Sequence, residues 1–111
     1  MNRKQMTLNA ISYFNAFKSK NLELLSNLYD DKIKLLDWNG EWNGKENVLN
    51  MNSNLFELEF QVSMQNVETY SDTGITKCYI QIKFENETID VIDNIFWNDS
   101  NKIIVIDAYK Q

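Results

Sequence analysis

Residues 89–97 read Ile89-Asp90-Val91-Ile92-Asp93-Asn94-Ile95-Phe96-Trp97, IDVIDNIFW, and the fold turns on this stretch. Ile89, Val91, Asp93, Ile95 and Trp97 alternate as one face of a strand, while Ile92 and Phe96 lie on the other. A strand that is apolar on both faces is covered on both faces. Asp93 is the exception in its row. A carboxylate among large apolar groups needs a partner or a task.

Working outward, residues 103–109, which include Ile106, are again apolar on both faces. Before the central stretch, Thr76, Cys78, Ile80, Ile82 and Phe84 alternate with Lys77, Tyr79, Gln81 and Lys83. Leu58, Phe60, Val62 and Met64 keep the same period, which then slips to Val67 and Thr69. One extra residue near Gln65-Asn66 explains the slip as a bulge that bends a long strand. Ser71–Gly74 and Glu85–Glu87 supply the turns.

The N-terminal half changes period. Met6, Ala10, Tyr13 and Phe17 share one face of a helix over residues 5–18. Asn21 is placed to cap a shorter helix carrying Leu22, Leu25 and Leu28 or Tyr29. Residues 32–38 alternate as a strand, with Ile33, Leu35 and Asp37 on one face. The stretch Trp38-Asn39-Gly40-Glu41-Trp42-Asn43-Gly44 reads as turn chemistry. A third helix follows, with Val48, Met51, Leu55 and Phe56 inward.

This order predicts an α+β fold. A strongly curved, mainly antiparallel sheet carries three helices on its concave side, forming a cone that can hold a pocket. The helices cover only one face. A second copy of the chain is the simplest cover for the other, so a homodimer is expected.

Composition narrows the chemistry. The 111 residues suit one domain spanning the chain. There is no histidine, which removes histidine bases and histidine metal sites. The net charge of -5 argues against a nucleic-acid partner. One cysteine, Cys78, permits no internal disulfide and suits the cytoplasm. No apolar run approaches the length of a membrane span, and no signal peptide is expected.

Asp37, Asp93 and Tyr13 are the candidate catalytic residues. Two acids in one apolar cavity can take opposite roles, one as a base and one kept protonated as a hydrogen-bond donor. Each also has a plain structural reading. Asp37 can cap the turn that follows it, Asp93 can accept from a neighbour, and Tyr13 can be a core tyrosine. Trp38 and Trp42 stand either as lids over a ligand or as packing over the turn. Val91, Ile95, Trp97 and Ile106 are further candidates to touch a ligand.

From AISYFNAFKSKNLELLSNLYDD through IKLLDWNGEWNGKENV to TIDVIDNIFWNDSNKIIVIDAY, the chain resembles SnoaL-like members of the nuclear transport factor 2-like superfamily. That superfamily has a cystatin-like cone fold. Among its enzymes the chain is most similar to ketosteroid isomerase. The resemblance implies a helical tyrosine at Tyr13, a general base at Asp37 in YDDKIKLLD, and a protonated acid at Asp93 in DVIDNIFW. The paired-acid arrangement is that enzyme's own known case. Departures are clear: Trp38 replaces a proline after the base. Asn52 falls near a supporting tyrosine, and Lys110 takes an aromatic pocket position. Epoxide hydrolase-like chemistry would need a strand arginine and dehydratase-like chemistry histidines, and the chain has neither. Cofactor-free proton transfer next to a carbonyl of a small apolar ligand, as in an isomerase or a polyketide cyclase-like lyase, is one expectation. A non-catalytic binding module of the same fold is the other.

Overall fold

The computed structural model describes residues 2–111. Helix α1 spans Arg3–Lys18 and is capped by Asn2, whose side chain accepts the Gln5 backbone N–H at 2.7 Å. Lys20, with φ of 56°, turns the chain out of α1. Asn21 then caps α2 (Leu22–Leu28), accepting the Leu24 N–H at 3.1 Å. Strand β1 (Tyr29–Asp37) follows directly. Helix α3 (Lys45–Leu55) begins after Gly44, whose φ of 88° only glycine adopts without strain.

The sequence pattern predicts one strand before α3, and the structure has two. Gly40–Asn43 folds back on β1 as strand β2, setting Leu35 opposite Trp42 and Asp37 opposite Gly40. A four-residue edge strand made of Gly, Glu, Trp and Asn has no apolar alternation to separate it from a turn.

The remaining strands are β3 (Phe60–Tyr70), β4 (Ile75–Phe84), β5 (Thr88–Trp97) and β6 (Ile103–Lys110). They complete one sheet in the order β2-β1-β6-β5-β4-β3, antiparallel except where β6 runs parallel to β1. The predicted bulge is present: the β3–β4 register shifts between Met64 and Asn66, leaving Gln65 as the extra residue.

Helices α1 and α3 pack on one face of this sheet. Met6, Ala10, Tyr13, Phe14 and Phe17 of α1 are buried against Ile80, Val91, Ile95 and Ile106 from the strands. Each large apolar side chain so buried contributes about 1.5–3 kcal/mol. In α3 the inward residues are Val48 and Asn52, with Met51 and Leu55, and Phe56 just past its end, only half-buried. Asn52 is inside because it meets another polar group there, the Tyr29 hydroxyl at 2.7 Å.

The sheet's other face is mixed. Ile92, Asn94 and Phe96 of β5 lie half-buried between Tyr79, Lys77 and Ile75 of β4 and Tyr109, Asp107 and Val105 of β6. Asp107 and the exposed Tyr109 break the fully apolar pattern expected of β6.

Candidate active site

Between the helices and the sheet lies a cavity of about 280 Å³. Phe14 and Phe17 of α1, Leu35 of β1 and Ile80 and Ile82 of β4 form much of its wall. Tyr13, Asp37 and Asp93 all line it. Three elements distant in sequence bring them there. Tyr13 comes from the buried stripe of α1, Asp37 from the end of β1, and Asp93 from the middle of β5.

Asp93 is 7% exposed, and among the described residues no hydrogen bond reaches its carboxyl from the protein. No fully buried side-chain oxygen or nitrogen of the described residues lacks a partner, so the free carboxyl opens onto cavity space. Burial, and then the nearby Asp37 charge, push the Asp93 carboxyl up to about 7. Beneath it on β4 lies Cys78, whose thiol burial and the Asp93 charge drive well above its usual range. A thiol held protonated there is packing and not a nucleophile.

Asp37 differs. It is half-buried, and its Oδ1 accepts the Asn39 backbone N–H at 2.6 Å. It therefore caps the turn and lines the cavity at once, so the two readings of this residue are not exclusive. The capped oxygen fixes the carboxylate while Oδ2 carries no hydrogen bond from the described residues.

Burial, followed by its neighbours Tyr29 and Asp93, holds the Tyr13 phenol well above its usual value. Tyr29 was not foreseen as part of the site. It is fully enclosed at the start of β1, its ring 6.4 Å from that of Tyr13, and its hydroxyl donates to Asn52 Oδ1. Burial raises its phenol too, partly offset by hydrogen bonding with Tyr13 and Asn52. Asn52 thus supports a tyrosine and also lines the cavity. In the sequence, Tyr29 sits where α2 ends, and periodicity alone does not say whether such a residue closes a helix or opens a strand.

The mouth is ringed by Trp38, Asn39, Leu58, Glu87 and Lys110. Trp38 is 41% exposed, and Lys110 Nζ lies 5.6 Å from its ring centroid. Val91 and Ile106 line the wall.

Three expected ligand contacts lie elsewhere. Ile95 is fully enclosed beside Thr76 and Ile106, deeper than the cavity reaches. Trp97 stands at the narrow end, where its indole N–H donates to Thr76 Oγ1 at 3.0 Å. Trp42 is half-buried on edge strand β2, its ring against Gly40 of its own turn. It packs the turn and is no lid. All three share the inward face of their strands, but the cone tapers, so facing inward does not place a residue at cavity depth.

No group of three His, Cys, Asp or Glu side chains among the described residues is placed to hold a metal ion. No helix among them is long and apolar enough to cross a membrane.

Three helices against one bent sheet, closed at one end and open at the other, define a known architecture. This is the nuclear transport factor 2-like fold. The nuclear transport factor 2-like protein of unknown function from Cytophaga hutchinsonii matches with a TM-score of 0.83 at 11% identity, over 96% of this chain and 89% of that one. A SnoaL-like family protein from Agrobacterium tumefaciens gives a TM-score of 0.82 at 10% identity, covering 97% of this chain and 98% of that one. A steroid delta-isomerase from Pseudomonas aeruginosa gives 0.80 at 10% identity, over 96% and 80%. No protein-family model and no curated protein matches the sequence.

Proposed function

We propose that this chain binds a small carbonyl compound in its nuclear transport factor 2-like cavity and moves a proton next to the carbonyl, without a cofactor. One observation carries the reading: an unpartnered, buried acid, Asp93, opens into the same cavity as a second acid and a phenol. With its carboxyl near 7, Asp93 is substantially protonated at neutral pH and can donate a hydrogen bond.

The steps balance within the site. Asp37 takes a proton from the carbon beside the carbonyl, and the C–H electron pair moves to the carbonyl oxygen. That oxyanion accepts hydrogen bonds from Asp93 and from Tyr13, whose hydroxyl hydrogen can rotate from Tyr29 to the ligand. The proton returns to a second carbon in an isomerisation. Alternatively, in a ring closure the enolate carbon bonds to a second carbonyl carbon of the ligand, whose π electron pair moves to its oxygen and takes the proton back from Asp37 while the first carbonyl re-forms. At about 280 Å³ the cavity is near the lower end of ligand pockets, which favours a compact apolar ligand. The buried lone thiol Cys78 fits a reducing cytoplasm.

The Asp37 cap favours a second reading, a non-catalytic binding module, because it gives that carboxylate a structural duty. Deuterium exchange beside the carbonyl in a panel of cyclic ketones and enones separates the two. Asp37→Asn keeps the cap oxygen and removes the basicity. Catalysis requires wild-type exchange that falls by about 100-fold or more in the variant at unchanged fold. Absence of exchange in the wild type, with saturable ligand binding, assigns the binding role.

A further inference from the structure

Two glutamate pairs, Glu57-Leu58-Glu59 and Glu85-Asn86-Glu87, stand far apart in sequence. The first links α3 to β3, and the second links β4 to β5. The register sets Phe60 opposite Phe84, so both links fall at the same end of the sheet. There the four glutamates line one open groove. None of them has a salt bridge among the described residues. The groove runs into the cavity, since Leu58, Phe84 and Glu87 line both. Aromatic rings stand at this junction, with the Phe60 centroid 6.1 Å from that of Phe84 and 6.1 Å from that of Phe56. The chain's own Lys20 Nζ already sits 5.0 Å from the Phe60 centroid while donating to the Leu58 carbonyl at 2.7 Å. Lys110 stands on the β6–β1 side of the mouth, over Trp38.

We infer, on the proposed reading of the cavity as the ligand site, that the ligand carries an organic ammonium at the end remote from its carbonyl and that this groove receives it. An acidic rim alone says little, because solvated glutamates are ordinary at a surface. Asp93 is the independent sign of a ligand. It is 7% exposed, accepts no hydrogen bond from the described residues, and opens into the same continuous space. A metal ion fits the groove poorly. It needs converging donors, and no three acids among the described residues converge. An alkylammonium needs no such convergence. Its charge is spread over carbon, so it can sit on aromatic faces and pair with scattered carboxylates. An anion would meet four carboxylates at the rim. Ile89 and Asp93 both line the cavity, four residues and about 13 Å apart on β5, and Glu87 stands just past Ile89. The apolar part of the ligand therefore fills the cavity, and a linker carries the cation beyond it into the groove.

Calorimetric titration with three straight-chain methyl ketones tests this. They share a chain long enough to reach from Asp93 to Glu87 and end in trimethylammonium, tert-butyl or carboxylate. The ammonium probe should bind about 10-fold or more tighter than its tert-butyl isostere, and the carboxylate probe most weakly. Replacing all four acids together, Glu57→Gln, Glu59→Gln, Glu85→Gln and Glu87→Gln, should erase that preference. In the wild-type chain, about 0.5 M salt should narrow the gap, because exposed charges are screened. Equal binding of the ammonium and tert-butyl probes excludes the cation and leaves the cavity reading standing. An ammonium preference that survives the fourfold substitution also overturns the assignment, because the cation would then sit at Asp37 and not in the groove. If none of the three ketones binds, both readings fall.

Discussion

Asp93 and Trp97 sit four residues apart on the same face of the same strand, yet they are built to opposite ends. Trp97 is buried and satisfied, its one polar hydrogen spent on Thr76. Around it the narrow end is tied by Asn98 Nδ2 donating to Asp30 Oδ1 at 2.9 Å and by Lys102 Nζ donating to the Asn27 carbonyl. Asp93 is as deeply buried and has no such partner. Burial alone therefore does not mark function in this chain. Burial without satisfaction does, because the desolvation cost is left standing where a ligand can relieve it.

The sharpest way to break this contrast is to empty the satisfied end. Trp97→Ala should cost about 3–5 kcal/mol in urea unfolding, since a packed narrow end cannot collapse around the lost ring. A loss under about 1 kcal/mol would make that end as loose as the cavity.

The opposite result is expected at Asp93. Its folded-state pKa is raised, so the native state holds a proton that the unfolded chain releases first. Stability from this group is full below the unfolded value near 4, declines as pH rises, and is gone above about 7. Asp93→Asn should flatten the profile between about pH 4 and 7 and stabilise the protein by about 1–3 kcal/mol at pH 8. If the wild-type melting temperature instead rises across that window, Asp93 is an ionised structural acceptor.

Thr76→Val strands the Trp97 N–H in a dry site and should cost about 1–3 kcal/mol with ligand binding untouched. Urea titration paired with a ligand titration checks both halves. Lys110→Ala, at the exposed mouth, should move stability by less than about 0.5 kcal/mol. Any loss of affinity for a ligand would then report the Lys110–Trp38 rim and not the fold.

Much of the cone was readable because the sheet's period is strict. Asp93 stood out in its apolar row, and the slip after Met64 gave away the bulge. What the pattern withheld is depth and partnership. Ile95 and Trp97 obey the same alternation as Asp93, and a period of two says which face a side chain takes but not how far up the taper it stands. Strand β2 was hidden because Gly40 and Asn43 look like turn residues whether or not they pair with β1. The Tyr29–Asn52 hydrogen bond joins residues 23 positions apart, and only the packing of α3 over β1 creates it.

The parallel seam between β1 and β6 also makes the sheet depend on one strand for its continuity. Without β6, the β1–β2 hairpin and the β3–β5 meander share no strand pairing, and each has a bare edge. They are joined only when β6 slides between β1 and β5. Until then Asp37 and Asp93 belong to different half-structures, and the wall contributed by Ile106 and Ala108 does not exist. The cavity is therefore only as continuous as the insertion of that one strand.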